Sequence, residues 1–407
     1  MIISIIADCH VNKSSYKGVF DKDIEYMPFR TADFMRAFER VITQNINEIK
    51  PNLIVFVGDI YDNYDPANDL RTFFNTQIQR LIDADITTYI MVGNHDACKK
   101  HHALSPIKAF RLNGVEVIEE PELKILDDKI ILLFPYSIEV EKGNVSIKKQ
   151  FSDFVEKSKE EVEKHKDKTI MFFGHFGVKG AYIKGDSENA KKSFVNSSDK
   201  DISLQDLNSI NANYIFLGDY HRHQILNVDN GFAMYTGSLE KTDMSEKDQI
   251  KGYIVYNDDY PLDEKMGKTK FIEYEQCRPM VEIKGSQKDI TQAVSQLDSS
   301  LKGAIVKIFF VGNKKELYDF SIVMSDLKKD VIRKLKPIHI YYDQTITEDD
   351  VVEDLDEEIE ILQDDNVNKD LVKKAIEEMI REKENDPDEI TSILKLSQEI
   401  YEEAMEK

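Results

Sequence analysis

Leu53-Ile54-Val55-Phe56-Val57-Gly58-Asp59-Ile60-Tyr61-Asp62 runs from an unbroken apolar stretch through a glycine into two acids. An apolar run of that length fits a strand covered on both faces, as in a sheet flanked by other layers. The glycine lets the chain turn sharply off the strand end and carries the following carboxylate towards a shared centre. The same grammar recurs along the chain. Ile2–Ala7 leads into Asp8-Cys9-His10, and Thr87–Val92 into Gly93-Asn94-His95-Asp96. Thr169–Phe173 leads into Gly174-His175-Phe176, and Tyr214–Leu217 into Gly218-Asp219-Tyr220-His221. In open α/β sheets, ligands bind at the carboxyl ends of strands, so these clusters are candidates for one site. Their side chains are carboxylates, imidazoles and one amide. That oxygen and nitrogen set suits Mn, Fe or Zn and is not a soft thiolate site.

Helical spacing fills the gaps between the strands. Phe34, Phe38, Val41, Ile42 and Ile46 place an amphipathic helix over Thr31–Ile49. Further helices are expected at Leu70–Ile82 and Val155–Lys164, and a further strand at Ile130–Phe134. Phe232–Thr236, Tyr253–Tyr256 and Lys270–Tyr274 follow one another without helices between them, which predicts antiparallel closure on the far side. Residues 1–275 thus form one expected α/β domain. The pattern then shifts to a small α+β unit over residues 276–345. Its strands are expected at Met280–Ile283, Ile305–Val311 and Ile338–Tyr342, and its helices at Ile290–Leu301 and Tyr318–Leu327. Residues 346–407 open with the acidic stretch Glu348–Glu360 and end in two expected amphipathic helices. One carries Leu371, Ala375, Ile376, Met379 and Ile380 on one face. The other opens at Asp386-Pro387-Asp388-Glu389, with an N-cap acid, a proline at the first helical position and Glu at the third.

Charge and cysteine usage narrow the setting. The chain has 54 Lys and Arg against 76 Asp and Glu, a formal net charge of −22. That sign is unexpected for a protein that grips nucleic acid. Residues 345–407 hold 23 of the acids and only 7 of the bases, so the acidity is mostly a property of the tail. Three cysteines, Cys9, Cys98 and Cys277, are too few for a disulfide framework and fit a reducing compartment. The apolar N-terminus lacks a basic region and runs into Asp8, so it reads as a buried strand and not a signal peptide. With no apolar run near the roughly 18 residues of a membrane helix, a cytoplasmic protein with no membrane association is expected. Lys179, Lys184, Lys191 and Lys192 bracket the loop after His175, as a nucleic-acid contact or an ordinary surface.

The ordered set DxH, GDxxD, GNHD, GHF and GxxH resembles the calcineurin-like metallophosphoesterases. Gly58-Asp-Ile-Tyr-Asp62, Val92-Gly-Asn-His-Asp96, Leu217-Gly-Asp-Tyr-His221 and Tyr235-Thr-Gly-Ser238 are similar to the SbcD-type DNA-repair nucleases, phage versions included. The resemblance implies a four-layer fold, a central β-sandwich with helices on both faces, followed by a capping domain and C-terminal helices. It implies two divalent metal ions, most often Mn, with Mg, Fe or Zn as other occupants. Asp8, His10 and His221 would hold one ion, Asn94, His175 and Asp219 the second, and Asp59 both. Water activated there would attack phosphorus in line. His95 would face the scissile phosphate, with Asp62 orienting and charging its imidazole. By the same resemblance the chain would be a 3′–5′ exonuclease and endonuclease in DNA repair and recombination. It would work as a homodimer with an SbcC-type ABC ATPase bearing a coiled coil, in a bacterial cell or a phage-infected host.

One position departs from the family pattern: Asp219 stands where the family usually has His. Either Asp219 is itself a ligand and the site is harder, or the loop shifts and His221-Arg222-His223 supplies the pair. Two rival functions also stand. One is a phosphoesterase of the same superfamily acting on nucleotides or phosphoproteins, which would not need the capping domain and tail. The other is a non-catalytic scaffold for an ATPase, which would have no use for His95 and Asp62.

Overall fold

The structure is a computed structural model that describes residues 1–16, 19–21, 23–24, 26–97, 105–107, 114–142, 144–183 and 202–347. The two expected C-terminal helices, Cys98, and three of the loop lysines (Lys184, Lys191 and Lys192) lie outside the described residues. The strands are β1 Ile2–Ile6, β2 Leu53–Val57, β3 Thr87–Met91, β4 Val115–Ile118, β5 Glu122–Leu126, β6 Lys129–Phe134, β7 Thr169–His175 and β8 Tyr214–Gly218. They continue with β9 Gln224–Leu226, β10 Phe232–Tyr235, β11 Gly252–Asn257, β12 Thr269–Glu273, β13 Met280–Gly285, β14 Ile305–Gly312 and β15 His339–Ile346. The α-helices are α1 Phe29–Gln44, α2 Asn68–Asp83, α3 Ile138–Glu141, α4 Ile147–Lys164, α5 Leu204–Asn208, α6 Gln287–Ser295 and α7 Lys314–Leu335.

Two six-stranded mixed sheets face each other. The first runs β12-β11-β1-β2-β3-β4 and the second β5-β6-β7-β8-β10-β9. In each, four strands are parallel: β1 to β4 in the first, with β4 at its edge, and the central β6, β7, β8 and β10 in the second. Antiparallel strands β11 and β12 close the other edge of the first sheet, and β5 and β9 close the two edges of the second. The expected antiparallel closure therefore holds for β11 and β12, whereas β10 lies parallel to β8. Between the sheets, Ile3, Val55, Met91, Leu133, Phe173 and Phe216 form one buried layer. Ile54, Phe56 and Ile90 point the other way, onto Phe38 of α1 and Phe74 of α2. On the opposite outer face, Phe134, Phe172 and Leu217 pack on Phe151 and Phe154 of α4. Alternate side chains of each central strand thus enter different cores, which is why those strands are largely apolar. The architecture is helix, sheet, sheet, helix, a four-layer α/β sandwich.

Helices α1 and α4 differ from the periodicity reading. The helix expected to reach Ile49 ends at Gln44, and Asn45–Ile49 forms a π-turn. Asn45 is buried there: its amide donates to the Val41 carbonyl and its Oδ1 accepts from Ser4 on β1. A buried polar side chain with those partners re-routes the helical ladder. Helix α4 starts eight residues before the expected Val155, at Ile147, because the Ser146 side chain caps the Lys149 N–H and Phe151 faces the core.

A third sheet, β13-β14-β15, is fully parallel and carries α6 and α7 in its crossovers. It is seated against the four-layer body through a charged node. Arg278 donates from Nε and Nη2 to the two Asp33 oxygens, both at 2.5 Å, and from Nη1 to the Gly303 carbonyl at 2.9 Å. Fully buried Arg30 donates to the same Asp33 at 2.7 Å and meets Glu240 at 3.5 Å. Such a fork-on-fork contact is geometrically specific. Arg278→Met is expected to cost about 2 kcal/mol, the scale of a hydrogen-bonded charge, and chemical denaturation of the full chain measures it. Among the described residues, no helix is long and apolar enough to cross a membrane.

Candidate metal centre

The parallel strands of both sheets deliver their carboxyl ends to one place. The loop after β1 extends the ladder onto the loop after β2: the N–H groups of Asp8, His10 and Val11 donate to the carbonyls of Gly58, Asp59 and Ile60 at 3.2, 3.0 and 2.9 Å. Asp8, His10 and Asp59 sit in the left-handed region, with φ of 48°, 43° and 50°, and Asp219 has φ 94°. Four non-glycine residues in that region at one site is the kind of backbone strain that clusters where function requires it. Close approach explains two of the glycines. A Cβ at Gly93 would lie 2.1 Å from Asp59 Oδ1, and one at Gly58, where φ is +81°, 2.2 Å from His175 Nδ1. A side chain at Gly58 would push the two sheets' loops apart, and one at Gly93 would separate the loops after β2 and β3.

The side chains converge as follows. His10 and His221 point Nε2 at each other across 3.0 Å, and Asp8 completes a trio whose ligand atoms lie within 4.8 Å of one another. Asp8 Oδ1 accepts the Asp219 N–H, while Oδ2 is buried with no hydrogen-bond partner. On the other side, His175 Nε2 meets Asn94 Oδ1 at 2.9 Å and Asp59 Oδ1 at 3.4 Å, and its Nδ1 donates to the Val57 carbonyl at 2.8 Å. The two Asp59 oxygens therefore face opposite ways, Oδ1 towards His175 and Oδ2 towards His10 Nε2 at 3.9 Å. An orphaned carboxylate oxygen, opposed imidazole nitrogens and a central two-faced carboxylate fit a pair of divalent cations.

The electrostatics agree with a cation-hungry pocket. Burial pushes Asp8 above the usual carboxylate range, and burial takes Asp219 up to about 6. Burial works against the charge of Asp59 as well, but His175, His10 and His95 outweigh it and hold it far below the usual range. Burial would lower His175, yet Asp59, Asp8 and Asp219 lift it to about 10. Burial and the neighbouring His221 hold His10 well below an ordinary histidine.

His95 stands at the mouth, 40% exposed, with its N–H on Asp59 Oδ1 at 2.9 Å. Its ring is oriented by Asp62, but not by the carboxylate that the sequence suggests. Nδ1 meets the Asp62 main-chain carbonyl at 2.7 Å. The Asp62 carboxylate pairs with Lys13 Nζ at 2.9 Å and lies 3.5 Å from His10 Nδ1, with His95 offering a third ligand atom within 4.8 Å. An ammonium within reach draws the carboxylate, and the carbonyl is left to orient the imidazole. His223 is also placed: Nδ1 bonds the Tyr235 carbonyl at 2.9 Å and the ring stacks on Phe271. Neither His223 nor Asp219 belongs to any of the clustered carboxylate and histidine groups among the described residues.

Sequence reasoning missed the supports. Asp96, fully buried, accepts the N–H groups of Gly93, Ile60 and Tyr61, so one carboxylate shapes both the GDxxD and the GNHD loops. Burial and the nearby Asp59 lift it to about 7. Glu246 and Lys251, both buried, stand behind His221. The only signal for Asp96 was its place in a motif. Glu246 and Lys251 lie in a polar run, Lys241 to Lys251, that reads as solvated loop.

A calcineurin-like phosphoesterase family model matches residues 1–223, which is more than half of the chain and includes every one of these clusters. The chain belongs to the calcineurin-like phosphoesterases. It is therefore a metal-dependent phosphoesterase, and the family's use of divalent metals matches the donor set just described. Two curated relatives share most of this phosphoesterase's length. One is a component of the nuclease SbcCD from Staphylococcus epidermidis, 24% identical over 312 residues, covering 73% of this chain and 75% of the relative. The other is the DNA double-strand break repair protein Mre11 of Methanocaldococcus jannaschii, 23% identical over 309 residues, covering 73% of each. Among solved structures, a dimetal phosphatase from Danio rerio is similar with a TM-score of 0.40 and 13% identity, over 63% of this chain and 91% of that one.

Proposed function

We propose that this phosphoesterase is a DNA nuclease that cuts phosphodiester bonds with two divalent ions, Mn in the first instance. The observation that carries the reading is the two-faced Asp59, with a histidine cluster on either side and the half-exposed His95 over it. Asp8, His10 and His221 would hold one ion, Asn94, His175 and Asp219 the other, and Asp59 both. When bound, the pair supplies an activated water and positive charge for the phosphoryl oxygens. The chain does the rest. The Asp62 carbonyl accepts from Nδ1 and fixes the His95 ring with Nε2 at the mouth; as the doubly protonated imidazolium, the ring would give its Nε2 proton to the leaving oxygen and keep the Nδ1 proton on the carbonyl. Nucleic acid as the substrate is supported by the SbcCD and Mre11 relatives, which are similar to this chain well past the phosphoesterase motifs. Residues 1–275 would carry the chemistry, 276–345 would cap the DNA, and 346–407 would bind an SbcC-type ABC ATPase. We extend the reading to a 3′–5′ exonuclease and endonuclease acting as a homodimer in the cytoplasm. The test is the full chain with Mn and end-labelled duplex and hairpin DNA, beside a nucleotide and a phosphopeptide. Mn-dependent DNA cleavage is expected. Hydrolysis of only the small substrates contradicts the reading.

Two further outcomes follow. Asp219→His is expected to retain cleavage and to shift metal preference towards softer Zn or Fe. His223→Ala should keep both ions, and loss of an ion there but not in Asp219→Ala would reverse the assignment. Deleting residues from about Asp364 onward should spare metal binding and basal cleavage and abolish ATP-dependent stimulation, because all proposed ligands precede residue 222. Amphipathic helices of the kind predicted there commonly dock in a partner's groove. Co-purification of the truncated chain with the ATPase would refute the docking role.

A further inference from the structure

His221 is gripped from behind more completely than any other histidine of the cluster. Its Nδ1 meets Glu246 Oε1 at 2.9 Å. The Thr242 hydroxyl donates to the same oxygen at 2.6 Å, and the Thr242 N–H to Oε2 at 2.8 Å. Lys251 Nζ donates to Glu246 Oε2 at 2.8 Å and to the His221 carbonyl at 3.0 Å, so one ammonium holds the ring through Glu246 and the main chain directly. Both charged side chains are nearly inaccessible, 0% and 2% exposed.

A buried ion pair is a poor stability device, because desolvation consumes most of the Coulomb gain. This pair is instead aimed. A carboxylate only accepts, so Nδ1 must carry a proton, and the neutral ring then presents its Nε2 lone pair towards His10 and Asp8. We propose that Glu246, held by Lys251, is a positioning residue that fixes His221 in the tautomer needed to bind one cation. The proposal rests on the two-ion reading above. It also separates the two halves of the centre. His175, on the other half, is oriented by the neutral Val57 carbonyl, so Glu246 should govern only the ion shared by Asp8, His10 and His221. Partners of this kind behind metal-bound histidines typically change metal affinity by roughly 10–100-fold.

The test compares the full-length wild type with Glu246→Gln and with the double variant Glu246→Gln/Lys251→Met. The double variant leaves no unpaired buried charge and keeps the question open if the single variant fails to fold. Circular dichroism checks folding, calorimetric titration with Mn alone reads each site, and the ring-nitrogen NMR shifts of the metal-free protein read the tautomer. The expected result is two ions in the wild type. In the variants one site should weaken by about 10–100-fold, the other should be unchanged, and His221 should lose its Nδ1–H signature. Wild-type affinity at both sites, an equal loss at both, or an unchanged tautomer would overturn the proposal. A wild type that binds no pair of ions would overturn the two-ion reading itself, which is a separate result.

Discussion

His95→Ala is expected to lower DNA cleavage by about 10²–10⁴-fold, the usual contribution of a positioned acid or base, while both ions stay bound. The geometry separates the two effects. Asp59 and the histidines at its two ends are buried, whereas the His95 ring is 40% exposed and its Nε2 lies 4.0 Å from Asp59. Only its main-chain N–H holds Asp59 Oδ1, and alanine keeps that donor. Among the described residues, the ring's hydrogen bond goes to a main-chain carbonyl, so its removal leaves no buried charge behind there. Metal analysis beside a cleavage assay decides the matter. Loss of an ion in the variant would move His95 into the coordination set and leave the leaving oxygen without its proposed donor.

Asp59→Asn is the more severe change. The carboxylate has one oxygen towards His175 and the other towards His10, and its charge is the largest of those that hold His175 protonated in the metal-free pocket. Asparagine can still accept the His95 N–H, so the loop should fold. It offers one ligand oxygen in place of two and no charge. Metal affinity should fall by more than roughly 100-fold, beyond the range seen when a supporting partner is lost, and cleavage should become undetectable at Mn concentrations that saturate the wild type. Because an ion that binds only the folded state raises stability by mass action, the Mn-induced rise in melting temperature should disappear as well. Retained Mn stabilisation in Asp59→Asn would contradict the bridging role.

Much of this is legible in the sequence because β1, β2, β3, β7 and β8 are largely apolar and lead into a glycine or a ligand-type side chain. The chemistry of the clusters and their order along the chain carry the site. What cannot be read is the partition of strands between sheets. Periodicity says that Ile54 and Val55 both enter apolar surroundings, not that one meets α-helices and the other the second sheet. The short strands β4 and β5 escape because Val115–Ile118 and Glu122–Leu126 mix polar residues into edge positions. Helix α7 runs from Lys314 to Leu335, well beyond the expected Tyr318–Leu327, because an Asn313 and Glu316 capping box starts it earlier and Val331 and Leu335 continue its buried face. The Asp62 carboxylate departs from expectation for a local reason: Lys13, far off in sequence, sits beside it. Asp96, Glu246 and Lys251 depend on backbone paths that no spacing rule encodes.

The account turns on two ions sharing Asp59, and crystals of the full chain grown with Mn test that directly by anomalous scattering. Two peaks are predicted, both in contact with Asp59, one flanked by Asp8, His10 and His221 and the other by Asn94, His175 and Asp219. A single peak, or a peak bound by His223 in place of Asp219, would contradict it.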